Sequence, residues 1–396
     1  MLNFFSASTR MVSSKGAISE CMESALGEDP ACDLVFVCAS IGHNYQQLVD
    51  QVRKLAPGAR VVGASCCGTV GREGVSESMK DVALMAVRGD DFAVAHTPDI
   101  NGRNAYERAV EMAQSLKSQR PGINMVNYLS SGIDIDNQAA IAGFEAVLGP
   151  EVTLFGATSS DNMRGAVSFQ MVDNQVYEHG AWAVGFCDPS LSVSTQATHG
   201  FVAVGEPMIV TRAEGTRVYE LDGKPAWTEY TTRLGLEPGL ANCGDSIPIG
   251  ALAEALPESL AAEYGNPHIL RVVTRRDEDG TMHYSTGITE GTRLWLTVRD
   301  EDRIFADMDR MMTQMNERAG GKKPVAVFHA DCLARGRYLF NRVMKEELVG
   351  RMQYPLSAGG EVPPWLGMYG FGEFARLGGN NSYHNYTTAI YALYRD

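Results

Sequence analysis

The sequence predicts an α/β protein with an α+β section in its middle. Three observations carry this. Short apolar runs of strand length alternate with segments of helical spacing; the alternation recurs three times; and between the second and third recurrence the apolar spacing changes to period two. The first unit opens at 33–40 (DLVFVCAS), an unbroken apolar run of the kind found in strands buried on both faces. Leu48, Val52 and Leu55 then fall on one face of a helix over 44–55, which Pro57-Gly58 stops. A second strand at 60–68 (RVVGASCCG) runs into a small-residue loop, and 82–87 (VALMAV) closes the unit.

The second unit repeats this order. Its strand is 123–131 (INMVNYLSS), and its helix is 136–148, with Ile141, Phe144, Val147 and Leu148 as the apolar stripe and Gly149-Pro150 as the stop. Strand and loop 152–160 (VTLFGATSS) and strand 181–186 (AWAVGF) complete it. A third, looser copy comprises 324–332 (PVAVFHADC), a helix over 338–348, 365–374 (WLGMYGFGEF) and 386–394 (YTTAIYALY). Repeated strand-helix-strand-strand units require right-handed crossovers and largely parallel pairing within each unit, in mixed sheets.

Between the second and third copies, 191–218 and 268–298 alternate in period two and carry the hairpin signal Glu278-Asp279-Gly280, which predicts an antiparallel sheet in the C-terminal half. Asp222-Gly223-Lys224-Pro225 is a turn leading into a helix over 227–234. Asp188-Pro189-Ser190 is the best domain junction, so two domains are expected: 1–190 with two repeated units, and 191–396 with the antiparallel section and the third unit.

Composition excludes several functions. The 396 residues are 44% hydrophobic and 21% charged, which is ordinary for a globular protein, and the net charge is -14. With no long basic run, neither nucleic acid nor an anionic membrane is an expected partner, and Arg271, Arg275 and Arg276 read as a solvated strand face. No apolar stretch approaches the ~18–20 residues of a spanning helix, and the first ten residues lack a signal-peptide pattern. Eight scattered cysteines without a C-x-x-C pair read as reduced, mostly buried thiols of a cytoplasmic protein.

Ligands bind outside the carboxyl ends of parallel strands. The repeats put Ser65-Cys66-Cys67-Gly68, Ala157-Thr158-Ser159-Ser160-Asp161 and Tyr369-Gly370-Phe371-Gly372-Glu373 there. Small side chains leave room and expose backbone donors. One such loop reads as a tight turn; three equivalent loops point to one shared pocket. Cys332-Leu333-Ala334-Arg335-Gly336-Arg337 begins where a strand ends and a helix starts. It reads as a thiol of lowered pKa, as an arginine site for a carboxylate, or as a capped turn over a buried thiol. The histidines form neither H-x-x-x-H nor H-E-x-x-H, and there is no G-x-S-x-G elbow, phosphate-loop lysine or dinucleotide fingerprint.

Several of these stretches together resemble the FIST sensory domain. The strand 33–40, the loop Gly63-Ala64-Ser65-Cys66-Cys67-Gly68 and the run Phe155-Gly156-Ala157-Thr158-Ser159-Ser160-Asp161-Asn162 are similar to its N-terminal half. The segments 210–213 and 218–226, the Cys332-to-Arg337 motif, Gly370-Phe371-Gly372-Glu373 and His384-Asn385-Tyr386-Thr387 are similar to its C-terminal half. The resemblance covers nearly the whole chain in the family's order. It departs at Phe328-His329-Ala330-Asp331, where a plainer apolar run is expected, and at 68–73, where the loop is longer than a compact Gly-Glu.

The resemblance implies an intracellular small-ligand sensor and not an enzyme, with amino acids among the proposed ligands. A stand-alone subset of similar layout binds haem, senses nitric oxide and regulates histidine kinases. No kinase or cyclase segment is read in this sequence, so a separate histidine kinase or other signalling protein is the expected output. The ligand-binding residues expected are Ser65, Cys66, Thr158, Ser159, Asp161, Cys332, Arg335, Arg337, Glu373, His384 and Asn385. His199, His329 and His384 are the candidate haem ligands, each at a strand end or beside a motif. Without haem, an amino-acid carboxylate is expected on Arg335 or Arg337. An enzyme would instead use Cys332 as nucleophile with His329 or His384 as base.

Overall fold

The computed structural model describes residues 1–162, 164–239, 241, 243, 251–335 and 342–396. It is a mixed α/β protein, and its repeat is longer than the sequence suggests. The first unit runs strand Asn3–Thr9, helix Ser14–Leu26, strand Leu34–Ser40, helix Tyr45–Leu55, strand Arg60–Cys66, hairpin Thr69–Gly71 and Gly74–Ser76, strand Val82–Arg88. The second repeats it as Phe92–Thr97, helix Ala105–Gln119, Met125–Ser130, helix Asn137–Leu148, Thr153–Thr158, hairpin Gln170–Val172 and Gln175–Tyr177, and Ala181–Phe186. The third starts at Leu191–Thr198 and resumes with helix Glu301–Ala319, Ala326–Cys332, helix Arg342–Leu356, Trp365–Gly370, hairpin Glu373–Leu377 and Asn380–His384, and Thr388–Arg395. The helix expected over 338–348 corresponds to the last of these helices; 338–341 lie outside the described residues.

In every unit the two crossover strands pair in parallel, as Leu34–Ser40 does with Arg60–Cys66, and the closing strand is antiparallel to both neighbours from its own unit. The hairpins are exchanged around a ring. The first unit's hairpin pairs with Trp365–Gly370, the second unit's with Arg60–Cys66, and the third unit's with Thr153–Thr158. Each six-stranded sheet therefore holds four strands of its own unit and two of a neighbour. The exchange covers a strand edge that would otherwise be open.

The three sheets face one another and carry their helices outside. Along Leu34–Ser40, Phe36 and Cys38 point to the common centre while Val35 and Val37 meet helices, so both faces are buried and the apolar run is unbroken. Phe328 lies 5.2 Å from Phe36 and 5.7 Å from Phe155, joining all three sheets at the axis. The void left there is about 40 Å³. The centre is thus packed like any interior and is not a receptor cavity.

The section 201–299 is an insertion between the third unit's first strand and first helix. It forms the antiparallel sheet expected from its period-two spacing, with Arg293–Arg299 between Leu252–Ala255 and the long strand Phe201–Glu214. Asp222 and Gly223 take φ of 51° and 74°, the left-handed pair a two-residue hairpin needs. Helix Ala226–Arg233 packs Trp227 and Tyr230 into this layer's own core. Among the described residues no helix is long and apolar enough to cross a membrane. Among the described residues no disulfide forms; Cys32, Cys187 and Cys243 are half-buried and the other cysteines buried.

Candidate ligand-binding site

The three loop tips do meet. The Ser65 hydroxyl donates to the Ser160 carbonyl at 2.8 Å, and the Ser160 hydroxyl donates to the Tyr369 carbonyl at 2.7 Å. The Cys67 N–H also donates to Tyr369, and the Thr158 N–H donates to Gly372. Among the described residues they pack against each other through these bonds, where a pocket enclosed by the tips was expected. Their small side chains serve packing: a Cβ on Gly132 would strike the Ser159 carbonyl, and one on Gly372 the Tyr383 hydroxyl. Ser65, Thr158 and Ser159 are wholly buried, with Ser159 held by the Ser130 carbonyl and the Gln170 amide. Cys66 is buried among them, and burial pushes its thiol well above the usual range.

The pocket lies beside the tips. It has a volume of about 190 Å³, and its wall comes from three places. The second unit supplies Gly132–Asp134 and Arg164, the third supplies Cys332–Ala334, Phe371 and Tyr386, and the antiparallel layer supplies Val272–Arg275, His283 and Tyr284. Asp161 builds part of this wall without facing it. Its carboxylate accepts the backbone N–H groups of Arg164, Gly165, Ala166 and Val167, folding the loop that carries Arg164. Asn385 donates to the Phe371 carbonyl at 3.2 Å and fixes that ring's backbone. Tyr386 and Asp134 both line the pocket with φ of 57° and 52°, an uncommon conformation for such residues and one that clusters at functional sites.

Of the other expected residues, Cys332 lines the pocket but is buried, and burial with the nearby Glu373 raises its thiol well above the usual range. That is the opposite of the lowered value a helix N-terminus and arginines suggest, because desolvation outweighs them. Arg335 is no pocket residue: it is wholly buried, donates to Asp331 at 3.0 Å and to the His199 carbonyl at 2.9 Å, and braces the third unit to the insertion. Glu373 is also wholly buried and held mainly by burial well above the carboxylate range. Thr387 donates to its Oε2 through both hydroxyl and N–H, and Oε1 has no partner among the described residues. Arg337 lies outside the described residues.

The three candidate histidines do not fit a haem. His199 uses both ring nitrogens, one toward the His268 carbonyl and one accepting from the Phe201 N–H. His329 bonds Thr388 at 2.9 Å, and His384 bonds Ser382 at 2.7 Å. Among the described residues His329 and His384 each leave Nδ1 without a partner, yet neither lines the pocket, and the void that His329 borders is about 40 Å³, far smaller than a porphyrin.

Sequence reasoning missed the polar residues that do line the pocket: Asp134, Arg164, Arg275, His283 and Tyr284. Arg275 is exposed on its strand, as expected, and its guanidinium also lies 3.2 Å from both nitrogens of His283, which in turn meets Asp277 at 2.8 Å. The available signal was an arginine and a histidine flanking the 277–280 turn, which places both on paired strands. Arg271, by contrast, is tied to Glu254 at 2.7 Å.

Comparison with known proteins agrees with this layout. Residues 33–224 match the FIST N domain and residues 236–376 match the FIST C domain. The chain is 26% identical over 258 residues to an uncharacterized protein of Mycobacterium bovis, covering 62% of this chain and 61% of that one. It is 26% identical over 316 residues to an uncharacterized protein of Methanocaldococcus jannaschii, covering 76% and 59%. The chain thus spans 59–61% of the length of these two relatives. PurLQS of Thermotoga maritima covers 100% of this chain and 72% of its own at 8% identity, but its TM-score of 0.22 is too low to carry any argument. FIST domains are generally small-ligand sensing domains, and with both halves present in order the chain belongs to the FIST family.

Proposed function

We propose that the protein is a cytoplasmic small-ligand sensor whose effector sits in the 190 Å³ pocket and whose output is a separate signalling partner, a histidine kinase in the first instance. One observation carries the reading: the pocket wall is shared between the two domains. Gly132, Ile133, Asp134 and Arg164 belong to the FIST N match, while Val272–Arg275, Tyr284, Cys332 and Phe371 belong to the FIST C match. A molecule bound there touches both and so favours whichever arrangement of the two it fits best. We take the effector to be a small organic molecule in place of haem, a reading supported by the absence of His199, His329 and His384 from the pocket's described lining. A carboxylate ligand such as an amino acid remains in keeping with the site, but its cations are Arg164 and Arg275 in place of Arg335.

The test is a thermal-shift panel of amino acids and small carboxylates. A ligand at a hundred times its Kd adds about 2.7 kcal/mol, which is readily seen. Val272→Phe, which fills the chamber, should abolish the shift. A ligand whose shift survives Val272→Phe binds elsewhere and removes this pocket as the receptor site. The absorption spectrum of the isolated protein should show no Soret band, and added hemin should produce none.

A further inference from the structure

The pocket opens onto a second space. Ile133, Asp134, Arg275 and His283 line both the pocket and a mostly polar groove of about 690 Å³, bounded by 99–103 of the second unit and 214–217 of the insertion. The site therefore has an inner chamber and an outer vestibule joined at a neck of four residues.

The two spaces differ in chemistry. The inner chamber is faced by the rings of Phe371, Tyr386 and Tyr284 and by Leu333 and Val272. An apolar cavity of about 150 Å³ accepts benzene, so a chamber of 190 Å³ has room for one ring and a short substituent. The neck carries Arg275 and His283 together with Asp134. Arg275 stands against His283, and Asp277 holds both from the outer side at 3.4 Å and 2.8 Å. Arg164 also lines the chamber, and Asp134 is the one acid among the described lining residues. Two arginines thus lie at the site of a chain whose net charge is -14, one of them paired with Asp277. Tyr284 adds a buried hydroxyl with no partner among the described residues. A buried anion is tolerated only where such donors meet it.

We infer that the effector is a small organic anion bearing one ring, or a branched chain of similar bulk. The ring occupies the inner chamber against Phe371 and Tyr386, the anionic group rests at the neck on Arg275, and any polar extension lies in the groove. This rests on the reading of the chamber as the receptor pocket and specifies what it receives.

Calorimetric titration of the full chain tests it with three probes: phenylacetate, its neutral isostere phenylacetamide, and acetate, which lacks the ring. Phenylacetate should bind about tenfold or more tighter than either of the others, an advantage of about 1.4 kcal/mol per tenfold. Arg275→Gln should erase the acid's advantage and leave the amide's affinity within about twofold, and Arg275→Lys should restore part of it. Equal binding of acid and amide, no binding of phenylacetate, or a preference that survives Arg275→Gln overturns the inference. The underlying reading is judged separately. If phenylacetate fails but another panel ligand binds and Val272→Phe blocks it, the chamber is still the receptor site and only its anionic, one-ring character is wrong. If Val272→Phe blocks nothing that binds, the receptor reading falls too.

Discussion

Ser65 and Ser160 hold each other reciprocally: the Ser65 hydroxyl donates to the Ser160 carbonyl at 2.8 Å, and the Ser160 N–H donates to the Ser65 carbonyl at 3.0 Å. These contacts couple the first and second units, and the Ser160 hydroxyl adds the third through Tyr369.

Ser65→Ala should therefore destabilise the whole protein and not one unit. It strips the Phe169 N–H of its acceptor as well as the Ser160 carbonyl of a donor. Buried groups left unpaired cost about 1–3 kcal/mol, readable as a shifted denaturation midpoint. Ser160→Ala keeps the carbonyl that Ser65 reaches and removes only the hydroxyl bond to Tyr369, so it should cost less than Ser65→Ala. An unchanged midpoint for Ser65→Ala would mean that the tips do not couple the units.

Glu373 sets a stability trend on the alkaline side. Its folded pKa is raised, so its contribution is complete below the ordinary glutamate value of about 4.3 and is lost as pH climbs toward the folded value. Glu373→Gln keeps the bond from Thr387 and removes the ionisation. The melting temperature of this variant should fall less than that of the parent as pH rises from 5 to 8. Parallel profiles would show that Glu373 does not titrate in this window.

His199 and His384 act in the opposite direction. Burial lowers each to about 3, so both fold neutral, and their contribution is present above the unfolded value and lost as pH drops through it toward 3. His384→Gln should flatten the acid limb of the stability profile. An unchanged acid limb would place its origin elsewhere.

Arg335 and Arg275 separate structure from binding. Arg335→Met leaves Asp331 buried without its guanidinium and should cost about 3–5 kcal/mol in stability. Among the described residues Arg275 is ion-paired only with the partly exposed Asp277, so Arg275→Gln should change stability by about 0.5 kcal/mol or less while altering ligand affinity. A large stability loss for Arg275→Gln would recast it as a structural residue.

Much of the fold was legible because its strands are buried on both faces. Runs such as 33–40 and 181–186 have no solvent side, so their composition alone marks them. The opening strands were less so: Asn3–Thr9 and Leu191–Thr198 each have residues exposed to solvent, and their sequences are partly polar. The hairpin exchange was invisible because a strand's partner depends on which edge lies nearby in space, not on local pattern. The same holds for the site. Asp161, Cys332 and Asn385 were found through their motifs, and all three build or line the pocket. Arg275, Arg164 and Tyr284 come from segments far apart in sequence, and only the docking of the antiparallel layer brings them together.

The ring of traded hairpins also governs how the molecule can be born. Thr153–Thr158 receives its covering strand from Glu373–Leu377, more than two hundred residues downstream, and Trp365–Gly370 must in turn accept a hairpin synthesised near the start. While the chain emerges, the earlier sheets carry a naked edge, and an unpaired edge is where neighbouring chains stick. Closure of the ring waits for residues 365–377, so a chain cut short before them leaves these edges unpaired and prone to stick.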